Sequence, residues 1–345
     1  MIYFNNDYSE GCLPQIMEKL FVTNMEQTPG YGVDSYCVEA ADKIKRLCNK
    51  ADAAVHFLVG GTQTNLTVIA AALRPYQAVI SADSGHINVH ETGAIEATGH
   101  KVIALPSADG KITAAQIEKE ARSQSETMDA EHTAQPAMVY ISNPTEYGTI
   151  YSLAELEDIS ATCKRWGLSL FVDGARLGYG LTAEDNDVTL ADMARLCDVF
   201  YIGGTKVGAL FGEAVVITDS AINRDFRYMI KQRGGMLAKG RLLGVQFGVL
   251  MEDDLYFKVA KKANKQAQII RQTLKDCGYG FMVENTTNQL FPILPDRVLA
   301  PLEEMFCFSQ MGRVDDAHRA IRICTSWATT DENVAKLCDA IKKHS

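Results

Sequence analysis

Leu168-Ser-Leu-Phe-Val-Asp173-Gly-Ala-Arg176 and, further on, Asp198-Val-Phe-Tyr-Ile-Gly-Gly-Thr-Lys206 decide how this chain is read. Each is an apolar run that reads as a buried strand and stops at a charged group. A carboxylate at the end of such a strand is costly to bury without a partner, so Asp173 needs a cation. Arg176 is the local candidate, giving a structural salt bridge; a protonated pyridine nitrogen would satisfy the same oxygens. Lys206 follows its strand through a Gly-Gly-Thr turn, and an amine held against apolar walls has a depressed pKa that favours Schiff-base formation. Lysine and carboxylate together are what pyridoxal 5'-phosphate chemistry asks of a protein. The lysine carries the cofactor aldehyde as a Schiff base, and the carboxylate keeps the pyridine nitrogen protonated.

Around these two segments, further apolar strand candidates recur at Ala53 to Val59, Ala78 to Ile80, Lys101 to Leu105, Ala137 to Ile141 and Ala214 to Ile217, with helical patterns between them. Strands alternating with helices make this an α/β chain with a mostly parallel sheet covered on both faces. Ligand groups then belong in the loops at the carboxyl ends of the strands. Before the sheet, a polar, turn-rich arm of about 35 residues carries one short helix from Leu13 to Leu20, and an amphipathic helix follows from Cys37 to Cys48. Beyond it, one long helical stretch is expected from Leu237 to Asp276. Short strands follow at Phe281 to Val283, Leu290 to Ile293, Glu304 to Phe308 and Ala320 to Cys324, and a closing helix runs from Asp331 to His344. The expected division is a large domain over 1–245 and a smaller α+β domain over 246–345.

Gly60-Gly61-Thr62-Gln63-Thr64-Asn65 lies between a strand and a helix expected over Asn65 to Leu73. Small residues there let backbone N–H groups at a helix start approach a phosphate; the plain alternative is a tight turn with Thr62 as N-cap. The stretch is neither a Walker loop nor a dinucleotide fingerprint. His86, a few residues past the strand at Ala78, could lie flat against a planar cofactor or be a capping or core histidine; His56, His90 and His100 read as structural. Arg176, if not tied to Asp173, could take a substrate carboxylate bidentately.

The bulk numbers narrow the partners. A net charge of −9 from 34 basic and 43 acidic residues, without a basic cluster, argues against nucleic acid or an anionic membrane. No apolar stretch approaches a membrane span, and the N-terminus lacks an apolar signal core. Nine cysteines form no Cys-x-x-Cys pair and fit no closed disulfide framework, so they read as reduced thiols of a cytoplasmic protein. No His and Cys set has metal-ligand spacing, and no Gly-x-Ser-x-Gly elbow appears.

With Asn5-Asn6-Asp7, Tyr31-Gly32, Gly61-Thr62-Gln63-Thr64-Asn65, His86 with Glu91, Asn143, Asp173-Gly-Ala-Arg176, Lys206 and Ile321-Arg322-Ile323 in order, the chain resembles the L-threonine aldolases of the β-eliminating lyase family over nearly its full length. The resemblance implies an aspartate aminotransferase-like fold (pyridoxal phosphate fold type I) and cleavage of L-threonine, L-allo-threonine or a related β-hydroxy-α-amino acid to glycine and an aldehyde. It implies Lys206 as the Schiff-base lysine, Asp173 as the pyridinium partner and His86 as the residue stacked on the cofactor ring. Gly61, Thr62 and Gln63 would hold the phosphate, and Arg176 and Arg322 the substrate carboxylate. Asn6 and Tyr31 would lie near the substrate, the tyrosine across a subunit boundary of a homodimer or homotetramer. Two positions depart from the family pattern. Asn5-Asn6-Asp7 stands where Arg-Ser-Asp is usual, and Leu237 where an arginine often reaches the neighbouring subunit's phosphate; Arg233 and Lys239 are the candidates to replace it. His132 falls at the spacing of a family histidine near the substrate. The competing readings are a β-eliminating lyase or an aminotransferase on the same scaffold, and a non-catalytic carrier of the cofactor.

Overall fold

The computed structural model describes residues 1–345. Its main sheet has seven strands: β1 (Ala54–Leu58), β2 (Gln77–Ala82), β3 (Lys101–Leu105), β4 (Gln135–Ser142), β5 (Ser169–Asp173), β6 (Val199–Gly203) and β7 (Glu213–Ile217), in the order β1-β7-β6-β5-β4-β2-β3. β6, β5, β4, β2 and β3 pair in parallel, whereas β7 runs antiparallel to both β1 and β6. The expected mostly parallel α/β sheet is therefore present, with one reversed strand inside it.

Successive strand residues point to opposite faces, and both faces are covered. Val79, Tyr140, Phe171 and Tyr201 join one core, and Ile80, Ile141, Val172 and Phe200 the other. This explains why the strands read as continuous apolar runs. The reversal of β7 has a further effect. Its first residue, Glu213, pairs with Leu58 and with Gly203, the last residues of β1 and β6, so its carboxylate joins the edge where the parallel strands end. Turns at this edge are tight: a Cβ on Gly174 would lie 1.8 Å from the carbonyl oxygen of Tyr201, so only glycine can follow Asp173.

A smaller antiparallel sheet places His318–Cys324 between Ile293–Pro295 and Ser309–Arg313, with Gln289–Leu290 also pairing to it. The helix Leu255–Asp276 joins the two parts. Tyr256, Ala260 and Ala263 pack into a core of the large sheet, and Ala267, Ile270 and Leu274 into the core under the small one.

Three expectations need correction. The helix after β1 starts at Gly61, not Asn65; Gly60 is its N-cap and Thr62 lies inside its first turn. The single stretch from Leu237 to Asp276 is two helices, Arg241–Leu250 and Leu255–Asp276. The break falls at Asp253 and Asp254, both with positive φ, a conformation aspartate tolerates better than most residues. Phe281 to Val283 makes only an isolated bridge, Phe281 to Pro292. The N-terminal arm is pinned to the small sheet's side: Ile2–Tyr3 pairs in parallel with Phe306–Cys307, and the carbonyl of the buried Phe4 accepts from the Cys324 N–H.

Candidate active site

Two adjoining cavities open at the carboxyl edge of the sheet. The inner, about 320 Å³, is lined by Gly60, Gly61 and Thr62, by Ser142 and Glu146, and by Asp173, Arg176, Tyr201, Thr205, Lys206 and Glu213. The outer, about 850 Å³, is lined among others by His86, His90, Arg176, Lys206, Ser309 and Arg322. Tyr8, His86, Glu146, Arg176 and Lys206 face both.

Asp173 ends β5 with no cationic side chain bonded to it. Asn65 Nδ2, 3.0 Å away, and the Tyr140 hydroxyl donate to Oδ2; the Tyr201 hydroxyl and the Ala175 N–H donate to Oδ1. Burial pushes this carboxyl up, but the charge of His86 and these donors outweigh it and hold it below its ordinary value. The side chain is an anion in a low-dielectric setting. Arg176 is not its partner, contrary to the salt bridge that proximity suggested. Arg176 Nε and Nη2 instead donate 2.7 and 3.0 Å bonds to the two oxygens of Asp7, which also accepts from Asn288 Nδ2. Burial works against Asp7, yet the charges of Arg176 and Lys206 lower its pKa. Arg176 Nη1 bonds no protein atom and remains free on the cavity side.

Lys206 Nζ forms neither a hydrogen bond nor an ion pair, and its pKa is lowered, first by burial and then by the charge of Arg176. Glu213 accepts from the Gly204 N–H and the Thr205 hydroxyl, and burial pushes its carboxyl up to about 8. His86 begins the short helix His86–Val89. Its Nδ1 bonds Glu91 Oε1 at 2.8 Å, and Glu91 Oε1 in turn accepts from Asn65. Burial would lower the imidazole pKa, but the bond to Glu91 and the charges of Asp173 and Glu91 raise it.

Gly61, Thr62, His86, Asp173, Arg176, Lys206 and Arg322 thus converge. Arg322 donates Nη2 to the Asn5 carbonyl and Ser309 Oγ, and its buried Nε has no partner. Three other candidates point elsewhere within one chain. Asn6 caps its own turn, accepting from the Tyr8 N–H and Ser9 Oγ. Gln63 clamps two backbones, accepting from the Val59 N–H and donating to the Arg233 carbonyl, so it is a brace for the cradle rather than part of its lining. Tyr31 lies with Met236 and Leu237 at a separate, mostly apolar pocket of about 140 Å³. Arg233 and Lys239 line neither of the two cavities, although Arg233 Nε is buried without a partner. His132 sits on a turn outside both. Sequence reasoning assigned no role to Glu146, Glu213, Tyr140 or Tyr201, and left Asp7 without one. For the tyrosines a signal existed: both lie on strands flanking β5 and point to the same face, toward its terminal carboxylate.

Residues 7–296 match the beta-eliminating lyase family. The chain belongs to that family. The low-specificity L-threonine aldolase of Pseudomonas aeruginosa is 29% identical over 98% of this chain and 96% of its own length. A threonine aldolase from Leishmania major has a solved structure 48% identical, covering 99% of each chain, with a TM-score of 0.97. An aspartate aminotransferase from Thermus thermophilus, 14% identical, superposes with a TM-score of 0.71 over 100% of this chain and 92% of its own; at that identity the likeness is one of fold, the aspartate aminotransferase-like fold. Such a family implies pyridoxal phosphate, and the residues present fit it. The helix Gly61–Ala72 has no side-chain cap, leaving N–H groups at its start for an anion. Asp173 is an anion without a bonded cation, and Lys206 is an unbonded amine between them.

Proposed function

We propose that this chain is a pyridoxal phosphate-dependent carbon–carbon lyase that cleaves L-threonine, L-allo-threonine or a related β-hydroxy-α-amino acid to glycine and an aldehyde. The observation that carries it is the pairing of an unbonded, desolvated Lys206 with a carboxylate held anionic at Asp173, beside two arginines with free donors. The full-length likeness to threonine aldolases supports the choice of substrate class.

In this reading Gly61 and Thr62 hold the phosphate through backbone N–H groups, with Gln63 bracing the turn. Lys206 would hold the cofactor as a Schiff base, and Asp173 would keep its ring nitrogen protonated. When bound, the cofactor supplies a sink for the electron pair released as the Cα–Cβ bond breaks. Arg176 Nη1 and the Arg322 guanidinium, both at the outer cavity, bind the substrate carboxylate, which sets the α carbon beside Lys206 and orients the bond to be broken. His86 would lie against the cofactor ring, its imidazole held at Nδ1 by Glu91. The lowered pKa of Lys206 favours the unprotonated amine that would attach the cofactor. Asn6 and Tyr31 reach the substrate only if a second copy adjoins the site or the arm shifts. We take the working form to be a homodimer or homotetramer in the cytoplasm, a reading supported by the outlying pocket at Tyr31 and by nine unpaired cysteines. No helix is long and apolar enough to cross a membrane.

Product analysis of the holoenzyme tests this reading. Incubation with L-threonine and L-allo-threonine should release glycine and acetaldehyde in equal amounts. Pyruvate with ammonia from cysteine-like or aromatic substrates would make the chain a β-eliminating lyase instead, and a keto acid formed only with an amino acceptor would make it an aminotransferase.

A further inference from the structure

Glu146 follows β4 by four residues, and its position is unusual among the carboxylates here. Its Oε1 accepts from Ser142 Oγ at 2.7 Å and from the His86 N–H at 2.8 Å. Oε2 bonds no protein atom and is not sealed from the cavity. One oxygen is therefore clamped by two donors from the ends of β4 and the loop after β2, and the other is presented.

The remaining acids near the site are committed. Asp173 accepts from four donors and Asp7 is filled by Arg176 and Asn288. Glu213 binds the Thr205 turn and faces only the inner cavity, and Asp83 faces only the outer one. Glu91 lines neither. Glu146 is the one carboxylate facing both cavities, alongside Lys206 and Arg176. His86, the obvious rival, has Nδ1 tied to Glu91, and in the reading above its ring is assigned to the cofactor rather than to the substrate's β oxygen. Burial raises the Glu146 carboxyl as well, which makes its anion a stronger base than a solvated glutamate.

We infer that Glu146 is the catalytic base that takes the β-hydroxyl proton of the substrate through Oε2. This rests on the aldolase reading above. As the proton passes from the β oxygen to Glu146, the oxygen's electron pair forms the aldehyde C=O and the Cα–Cβ bond breaks. Its electron pair, for which the bound cofactor would be the sink, is then protonated at Cα by a proton drawn from solvent to give glycine. Glu146 then releases its proton to solvent, and no oxidant or reductant is needed.

The test separates the β-oxygen step from chemistry at Cα. The holoenzyme is assayed for cleavage of L-allo-threonine and, separately, for exchange of a glycine α proton in deuterium oxide, which needs no base at a β oxygen. Glu146→Gln keeps an acceptor for Ser142 and His86 but cannot take a proton. Cleavage should fall by about 10²- to 10⁴-fold, the usual contribution of a general base, with glycine exchange retained. Glu146→Asp should show the same split more mildly, and carries the test if the glutamine variant does not fold. Equal loss of both activities would assign Glu146 a structural role and overturn the inference, as would unchanged cleavage. A wild-type enzyme inactive in both assays would reject the aldolase reading itself, and this inference with it.

Discussion

Substituting Glu213 by glutamine should stabilise the protein, and do so more as pH rises. The side chain is almost fully buried at the start of β7 and accepts from the Gly204 N–H and the Thr205 hydroxyl at 3.1 and 3.0 Å. Burial is the main cause that moves its pKa from 4.5 up to about 8, against the pull of Lys206. Between those two values the folded chain holds a proton that the unfolded chain has lost. Stability contributed by this site therefore falls as pH rises from about 4.5 toward 8, with a limiting slope of about 1.4 kcal/mol per pH unit. Integrated from about pH 5 to about pH 7.5, the loss is roughly 3 kcal/mol on that slope. Glutamine has nearly the same shape, resembles the protonated acid in its bonding and does not titrate. Denaturant unfolding of wild type and Glu213→Gln across this range isolates the site, because other groups titrate in both proteins. The difference between the two should widen steadily with pH. Parallel stability profiles would refute the idea that this carboxyl is buried against its ionisation.

Two further substitutions probe the arm and the substrate pocket. Asp7→Asn leaves the Arg176 guanidinium buried with one acceptor in place of a carboxylate, and should cost about 3–5 kcal/mol, as expected when one partner of a buried pair is removed; calorimetry showing less than about 1 kcal/mol would contradict it. Arg176→Lys cannot fork between Asp7 and a substrate carboxylate, and should lower kcat/KM for the amino acid by about 10- to 100-fold, the scale of one hydrogen bond to a charged group. The cofactor band should be unchanged in that variant, since the arginine is assigned to substrate.

The sheet was legible in the sequence because its strands are buried on both faces and so read as unbroken apolar runs. Asp173 and Lys206 stood out because each ends or follows such a run, where a charge needs a reason. Other parts depended on contacts no local pattern carries. Arg176 sits three residues from Asp173, yet its partner is Asp7, 169 residues away, because the arm is drawn across the site by its strand pairing at Ile2–Tyr3. Glu213 was hidden by direction: an apolar run does not reveal that β7 is reversed, so the residue before the run looked remote from the catalytic edge. Glu146 lies in Asn143-Pro-Thr-Glu-Tyr-Gly148, whose turn composition suits a solvated loop equally well. The long C-terminal helix was read through its break because Met251-Glu-Asp-Asp254 contains neither glycine nor proline. Asn6, Gln63 and Tyr31 were placed by resemblance alone, and inside one chain their side chains find backbone or surface partners first.

Everything above depends on Lys206 holding the cofactor of an aldolase. Wild type and Lys206→Ala, each supplied with pyridoxal phosphate, should be compared by visible absorbance before and after addition of L-allo-threonine, with coupled detection of acetaldehyde. A Schiff-base band and aldehyde release in the wild type, both lost in Lys206→Ala, is the predicted result. Retention of band and aldehyde by the alanine variant, or a wild type that shows no band, would contradict it.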